Sequence, residues 1–422
     1  MATLGFLLVI LLAFFSQVHG LLIPGPDAKH PSKGAVASFA LVDKSRKDPW
    51  DGGDRKIMVS LFMPVPASSC SSECEQPYMG RHTAEIANEQ FFGDKKKGVF
   101  EKMGFNACCS TRQSTDASKI PVVVLEPQTD TSRLLYVNLA RYMTANNVAV
   151  VLIDHPHDSS VTEFPGSDTA FNSGSTGLSS FSPLTAWNET ITKAIDIRVQ
   201  DIKFALESLK DSKIMSDKFV HVKFSSALDT SHYSVVGHGL GGTVATSLAI
   251  SDPRVQFSIN LSGSVPPLDH NIATPTYFLG RADFKRQHDI NWPVTWSHLT
   301  GPATEYDLHD SDTFDFSDLS VVTEVAKNEG KMSDLQPKKL GSVGPPGSHA
   351  VKCFVEAIIK DELHNDDGGL RHCIDSFGDK MVPYFASLGQ AVKEMEKESR
   401  GVSRRGVFRA AVRHRMEGWG FM

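Results

Sequence analysis

The sequence predicts an α/β fold, a mostly parallel, doubly wound sheet with antiparallel strands ahead of it. Three observations carry this. Residues 121–125 (PVVVL) and 148–153 (VAVVLI) are short, wholly apolar runs, as strands covered on both faces are, and helical spacing separates them. The same alternation of helix and apolar run continues from residue 191 to residue 279. Two earlier runs, 35–42 and 57–65, are alternating or apolar and bounded by polar, Gly- and Pro-containing segments, which suits antiparallel strands.

Taken in order, residues 1–20 hold an apolar run from Leu4 to Phe15, then Ser16, Gln17, Val18 and Gly20 at plausible cleavage positions. This is the pattern of a secretory signal peptide. The absence of Lys or Arg before the run leaves an uncleaved anchor open, although the run is shorter than the ~20 apolar residues of a membrane span. After the two early strands, residues 66–118 read mostly as loop with short helical pieces. Residues 134–145 have helical spacing, and 191–209 carry apolar residues at three- and four-residue intervals, one face of an amphipathic helix. Strands at 233–236, 255–261 and 276–279 alternate with a helix at 241–250. Residues 21–392 are read as one domain, with five buried strands. From residue 393 to 422 the chain is charged and then basic, with Arg404, Arg405, Arg409, Arg413 and Arg415. It reads as a solvated tail; an amphipathic surface helix and an extension processed at Arg404-Arg405 are the alternatives. No internal repeat is present.

A formal net charge of -6 gives no basic signature for nucleic acid. Past the leader no apolar stretch reaches membrane-spanning length, so no transmembrane anchor is expected and the mature chain is placed in the secretory pathway or outside the cell. Six cysteines suit that compartment. Cys353 and Cys373 are expected to pair, and Cys70, Cys74, Cys108 and Cys109 to form two further bridges. Zinc is the competing reading, but the spacings match no paired C-x-x-C pattern. Asn188 and Asn260 begin glycosylation sequons; Asn188 is the expected acceptor, because Asn260 sits at a strand end.

In a doubly wound sheet, sites lie at the carboxyl ends of the strands, so the loops beginning at Glu126, Asp154, Gly237, Ser262 and Gly280 should line one pocket. One of these turns has a recognisable form. Residues 235–245 (VVGHGLGGTVA) carry the glycine spacing of the G-x-S-x-G elbow, which holds a nucleophilic Ser on a strained strand-to-helix turn. Here Gly239 occupies the position of the Ser.

Further stretches agree in order and spacing with one family. "SRLLY" (132–136), "IDHPHDSSVTEFP" (153–165), "RVQDIKFAL" (198–206), "GHGLGG" (237–242), "DPRVQFSINLSG" (252–263) and "FDFSDLS" (314–320) resemble the platelet-activating factor acetylhydrolases, in particular their secreted fungal branch. The resemblance spans about residues 35–388. It implies an α/β-hydrolase fold and a metal-free Ser-His-Asp esterase that removes short acyl chains from phospholipids or related esters, with no cofactor. By the same resemblance the nucleophile falls at Gly239, the triad acid at Ser262 and the triad histidine at Thr313. All three positions are changed. The family's Gly-rich oxyanion turn is replaced by Glu126-Pro127-Gln128-Thr129-Asp130, where Pro lacks a donor and two carboxylates oppose a developing oxyanion. Gln128, Thr129 and Leu240 hold the oxyanion-loop positions.

Removing triad members costs on the order of a millionfold in rate. The chain is therefore expected to be a pseudoenzyme whose pocket binds an ester, a lipid or another apolar small molecule. A non-hydrolytic acid–base enzyme, such as a cyclase, isomerase or dehydratase, is the alternative; its candidate groups are His238 at the pocket mouth, His155, Asp154 and Glu126. A weak esterase with relocated groups, Ser262 or Ser264 with His309, is the third reading. His155-Pro156-His157-Asp158 could suggest a metal, but the related family carries a similar run without one, and no metal is expected. Gly239 either relaxes an elbow retained as architecture or opens room for a ligand and bares N–H groups at a helix start. Protein partners are not legible.

Overall fold

The computed structural model describes residues 20–383, apart from 167, 173–188, 343 and 367–368. The expected signal peptide, the acceptor Asn188 and the basic tail lie outside the described residues. The chain starts with β1 (Leu21–Leu22), the long hairpin β2 (Ser32–Lys47) and β3 (Asp54–Pro66), then β4 (Cys70–Pro77), α1 (Arg81–Phe92) and β5 (Met103–Thr111). The parallel part follows with β6 (Val122–Glu126), α2 (Val137–Ala145), β7 (Ala149–Asp154), the small hairpin β8 (Val161–Glu163) and β9 (Thr169–Phe171), α3 (Glu189–Ser208) and α4 (Ser212–Lys218). It continues through β10 (Tyr233–His238), α5 (Leu240–Ser251), β11 (Val255–Leu261), β12 (Thr276–Arg281), α6 (Trp292–His298) and β13 (Ala303–Leu308). Helices α7 (Leu319–Asn328), α8 (Pro345–His364) and α9 (Gly369–Phe377) and strand β14 (Met381–Pro383) close the described chain.

The main sheet runs β14-β13-β12-β11-β10-β6-β7-β3-β2. Its centre, β7 to β13, is parallel, and β2, β3 and β14 join antiparallel. The period of two along each strand sends Val123, Leu125, Val150, Leu152, Val236 and Ile259 to one face, where α2, α7 and α8 cover them. Val122, Val124, Val151, Ile153 and Val235 go to the other, under α3 and α5. Burial of each such side chain contributes about 1.5–3 kcal/mol, which fixes the register and with it the loops at the strand ends.

The expected α/β-hydrolase fold is present, with two differences of detail. A sixth parallel strand, β13, escapes an apolar reading because its sequence ATEYDL points Glu305 and Asp307 inward. Arg286 and Lys285 pair with them, respectively. The stretch 66–118, expected to be mostly loop, contains β4, α1 and β5, and a separate three-stranded sheet β1-β5-β4. Strand β4 (CSSECEQP) is polar and mostly exposed, so no hydrophobic pattern announces it. The disulfides Cys70–Cys108 and Cys74–Cys109 clamp it to β5, and Cys353–Cys373 ties α8 to α9. All three bridges agree with the expected grouping. Replacing both Cys74 and Cys109 by Ser should lower Tm only slightly, by less than about 1 kcal/mol of stability, because Cys70–Cys108 still closes nearly the same loop in the unfolded chain.

Candidate active site: an elbow closed by its own chain

Strand β10 ends at His238 and helix α5 begins at Leu240, so the whole turn is made by Gly239. Its backbone sits at φ 56° and ψ -120°, a conformation that only glycine adopts without strain. The elbow geometry is thus kept although the nucleophile is gone; the glycine has not let the turn relax. Close packing of α5 on β10 depends on Gly237, where a Cβ would overlap the backbone carbonyl of Gly241.

The space vacated at Gly239 is filled. A Cβ built there would overlap the Gln128 carboxamide. The Gln128 Oε1 accepts hydrogen bonds from the Leu240 N–H at 2.7 Å and from the Thr129 N–H at 3.2 Å. These two N–H groups, at positions the resemblance gives to the oxyanion loop, converge on one oxygen despite Pro127. The loop is held from below: the Gln128 N–H donates to Tyr136 Oη at 3.1 Å, which leaves the Tyr136 hydroxyl to donate to His238 Nδ1 at 2.7 Å.

His238 is stacked on Phe316 at 5.6 Å, with its Nε2 buried and without a partner among the described residues. Burial, aided by the charge of Arg281, lowers its pKa to about 3. His238 is therefore a neutral, buried positioning group and does not lie at a pocket mouth. The other acid–base candidates are also engaged. Glu126 and His155 meet at 3.0 Å, but both are fully buried and the second ring nitrogen of His155 is held by Asp201 at 2.9 Å. Asp154 accepts the Arg133 N–H at 2.6 Å and pairs with its guanidinium.

Glu126 and His155 belong to a buried chain of charges. Arg198 grips Asp158 through two bonds of 2.6 and 2.9 Å and reaches the Pro127 carbonyl at 2.7 Å. Arg55 grips Asp201 at 2.6 and 3.2 Å and Asp48 at 2.6 Å. Burial opposes the charge on His155, but the Glu126 carboxylate and the bonds to Asp201 and Glu126 outweigh it and raise its pKa. Burial likewise opposes ionisation of Asp201 and Asp158; Arg55 and His155 pull the first far below the carboxylate range, and Arg198 pulls the second down. This network props the oxyanion loop through Pro127. It was partly legible: Arg198 and Asp201 fall on the buried stripe of α3, in phase with Ala194, Ile195, Ile202 and Ala205.

The remaining triad positions stay beside the elbow. Gly239 donates its N–H to the Leu261 carbonyl at 2.9 Å, which brings Ser262 against the turn. Ser262, at φ 56°, accepts from Arg281 at 3.0 Å and donates to the Phe284 carbonyl at 3.3 Å. Thr313 opens a 3-10 turn capped by Asp312, and the next residue, Phe314, packs edge-on to His238 at 6.5 Å. The hydroxyl of Ser264 pairs with Asp289, and His309 is exposed, with its N–H bonded to the Lys380 carbonyl at 2.8 Å. Neither serine is brought to His309. Asn260, the second sequon, is buried and bonded to Thr246. A surface cleft of about 730 Å³ opens beside Arg46, Lys47, Arg55 and the start of α3, and no elbow residue lines it.

A ferulic acid esterase from Streptomyces cinnamoneus superposes with a TM-score of 0.66 at 22% identity, covering 86% of this chain and 99% of that one. At that identity the likeness speaks for the fold. A probable 1-alkyl-2-acetylglycerophosphocholine esterase from Arthroderma benhamiae is 26% identical over 292 residues, 65% of this chain and 69% of the relative. The family model described as platelet-activating factor acetylhydrolase, isoform II, matches residues 85–306, more than half of the chain. By that match, on a hydrolase fold whose elbow carries Gly239 at its apex, the chain belongs to the platelet-activating factor acetylhydrolase isoform II family.

Proposed function

We propose that this chain is a secreted, non-hydrolytic member of its family that binds an ester, a lipid or another apolar small molecule without cleaving it. The observation that carries this reading is the occupation of the nucleophile's place by the Gln128 carboxamide. Gly239 offers no attacking atom, Ser262 no carboxylate and Thr313 no imidazole. Losses of this kind cost on the order of a millionfold in rate. Against acid–base chemistry, the candidate groups His155 and Glu126 are sealed against each other and His238 is held neutral. The three disulfides support an oxidising compartment, and among the described residues no helix is long and apolar enough to cross a membrane.

The test is ester turnover by the purified protein, with a short-chain aryl ester and an acetylated phospholipid, with and without a fluorophosphonate. The expected result is no turnover above the protein-free rate and no covalent label. Turnover that the fluorophosphonate abolishes would overturn the reading and direct attention to Ser262, Ser264 and His309.

A further inference from the structure

Away from the elbow, His157 packs against the Trp50 ring at 5.6 Å, and its Nε2 is buried with no hydrogen-bond partner among the described residues. Leaving a buried ring nitrogen unpaired is costly. Two carboxylate oxygens face it, Asp48 Oδ1 and Asp51 Oδ2, each at 3.8 Å. That is too long for a hydrogen bond and suits atoms that share a third between them. The three side chains offer ligand atoms that all lie within 4.8 Å of one another. Along the chain His157 has no such partners: in the run His155-Pro156-His157-Asp158, His155 is taken by Asp201 and Glu126, and Asp158 by Arg198. Across the sheet it does, because the antiparallel register of β3 with β7, Met58 opposite Asp154, carries the chain after β7 back toward the β2–β3 turn that holds Asp48 and Asp51.

We propose that His157 Nε2, Asp48 Oδ1 and Asp51 Oδ2 bind one divalent transition-metal ion of the zinc class. Zinc bonds to imidazole and carboxylate are about 2.0–2.2 Å long, so a triangle of this size closes on one ion by small side-chain shifts. An imidazole in the set favours zinc over calcium, which prefers oxygen alone. Both carboxylates are steered from behind: Asp48 Oδ2 accepts from Arg55 at 2.6 Å, Asp48 Oδ1 from the Trp50 N–H at 2.9 Å, and Asp51 Oδ1 from the Gly53 N–H at 2.8 Å. Arg55 does not cancel the pair, since two of its bonds go to Asp201. Asp48 is buried and Asp51 is 61% exposed, which gives the ion its way in. The bound ion ties the hairpin turn to the loop after β7 and leaves a fourth position to water. The site stands or falls independently of the elbow.

The experiment is calorimetric titration of the whole chain, freed of metal with EDTA, with zinc chloride and separately with calcium chloride, repeated on Asp51→Asn and His157→Asn. Asn tolerates the left-handed backbone of residue 157, at φ 70°, and Asp51 lies at the surface, so both variants should fold; their metal-free Tm values check this. The expected result is one zinc per chain, not displaced by calcium, with affinity lowered at least about tenfold in each variant. Cobalt supplies a second readout: its visible absorption should appear with the wild type and fade in His157→Asn. Zinc binding undiminished in both variants puts the ion elsewhere and overturns the assignment. No zinc binding by the wild type overturns it too, and a water then fills the triangle. Tighter binding of calcium than of zinc, or a loss confined to Asp51→Asn, removes the imidazole from the ligand set and overturns the zinc class. Should one variant fail to fold, the other and the wild-type cobalt spectrum decide.

Discussion

Replacing Asp201 by Ala should destabilise the protein by about 3–5 kcal/mol, the cost of stripping one partner from a buried ion pair. Asp201 is fully buried, and its two oxygens serve Arg55, Arg46 and His155 together. Truncation leaves a buried guanidinium and a buried imidazolium short of their counter-charge. Urea denaturation checks this, and a paired change tests the cause: Arg55→Met with Asp201→Leu should recover much of the loss, because neither charge is then left alone. The pH profile carries the same signature. Asp201 and Asp158 have depressed pKa values, so the stability they contribute is fully present above the ordinary value of 3.8 and is lost as pH falls through their lower folded values. His155 has a raised pKa, so its contribution is present below 6.5 and is lost as pH rises through its folded value. Stability from this network should therefore peak in the mildly acidic range, and Asp201→Ala should flatten both limbs.

The elbow glycines should separate sharply. Gly237→Ala drives a Cβ into the carbonyl of Gly241 and within 2.7 Å of the Gly242 nitrogen, backbone that cannot withdraw without lifting α5 off the sheet. A loss of about 3 kcal/mol is expected, at the upper end for overpacking. Gly239→Ser meets only the far end of the Gln128 side chain, so the obstruction yields and the remaining cost is the strained backbone, about 1–3 kcal/mol. The restored hydroxyl should not react: ester turnover should stay at the protein-free rate, and fluorophosphonate should leave the variant unlabelled, because no imidazole stands at Thr313 to accept its proton. Melting curves and labelling of the two variants, side by side, check both halves. Labelling of Gly239→Ser would mean that some other base reaches the elbow.

Much of this architecture was written locally. The apolar runs of β6, β7, β10, β11 and β12 each declare a buried strand within a few residues, and the glycines around His238 declare the turn. Two strands that escaped do so for stated reasons: β13 carries its partners' counter-charges inward, and β4 is held by cysteines rather than by an apolar face. At the site, the resemblance leads to an expectation of vacancies at Gly239, Ser262 and Thr313. What fills them was not. Gln128 and Leu240 are brought together only by the parallel pairing of β6 with β10, and Arg281 reaches Ser262 only because β12 lies beside β11. No local pattern encodes contacts that arise from strand order. Likewise, His238 looks like a titrating group in isolation, and only its burial against Tyr136 and Phe316 makes it inert.

The Gln128 carboxamide in the hollow of Gly239 also has a historical consequence. A serine regained at the elbow would return to a place already tenanted, with no acid at Ser262 and no base at Thr313, and would confer nothing that selection could retain. A histidine or an aspartate regained first would be equally without effect. On the proposed non-hydrolytic reading each of these residues shelters the others from change, as a ratchet does: a way to catalysis would pass through several silent steps at once.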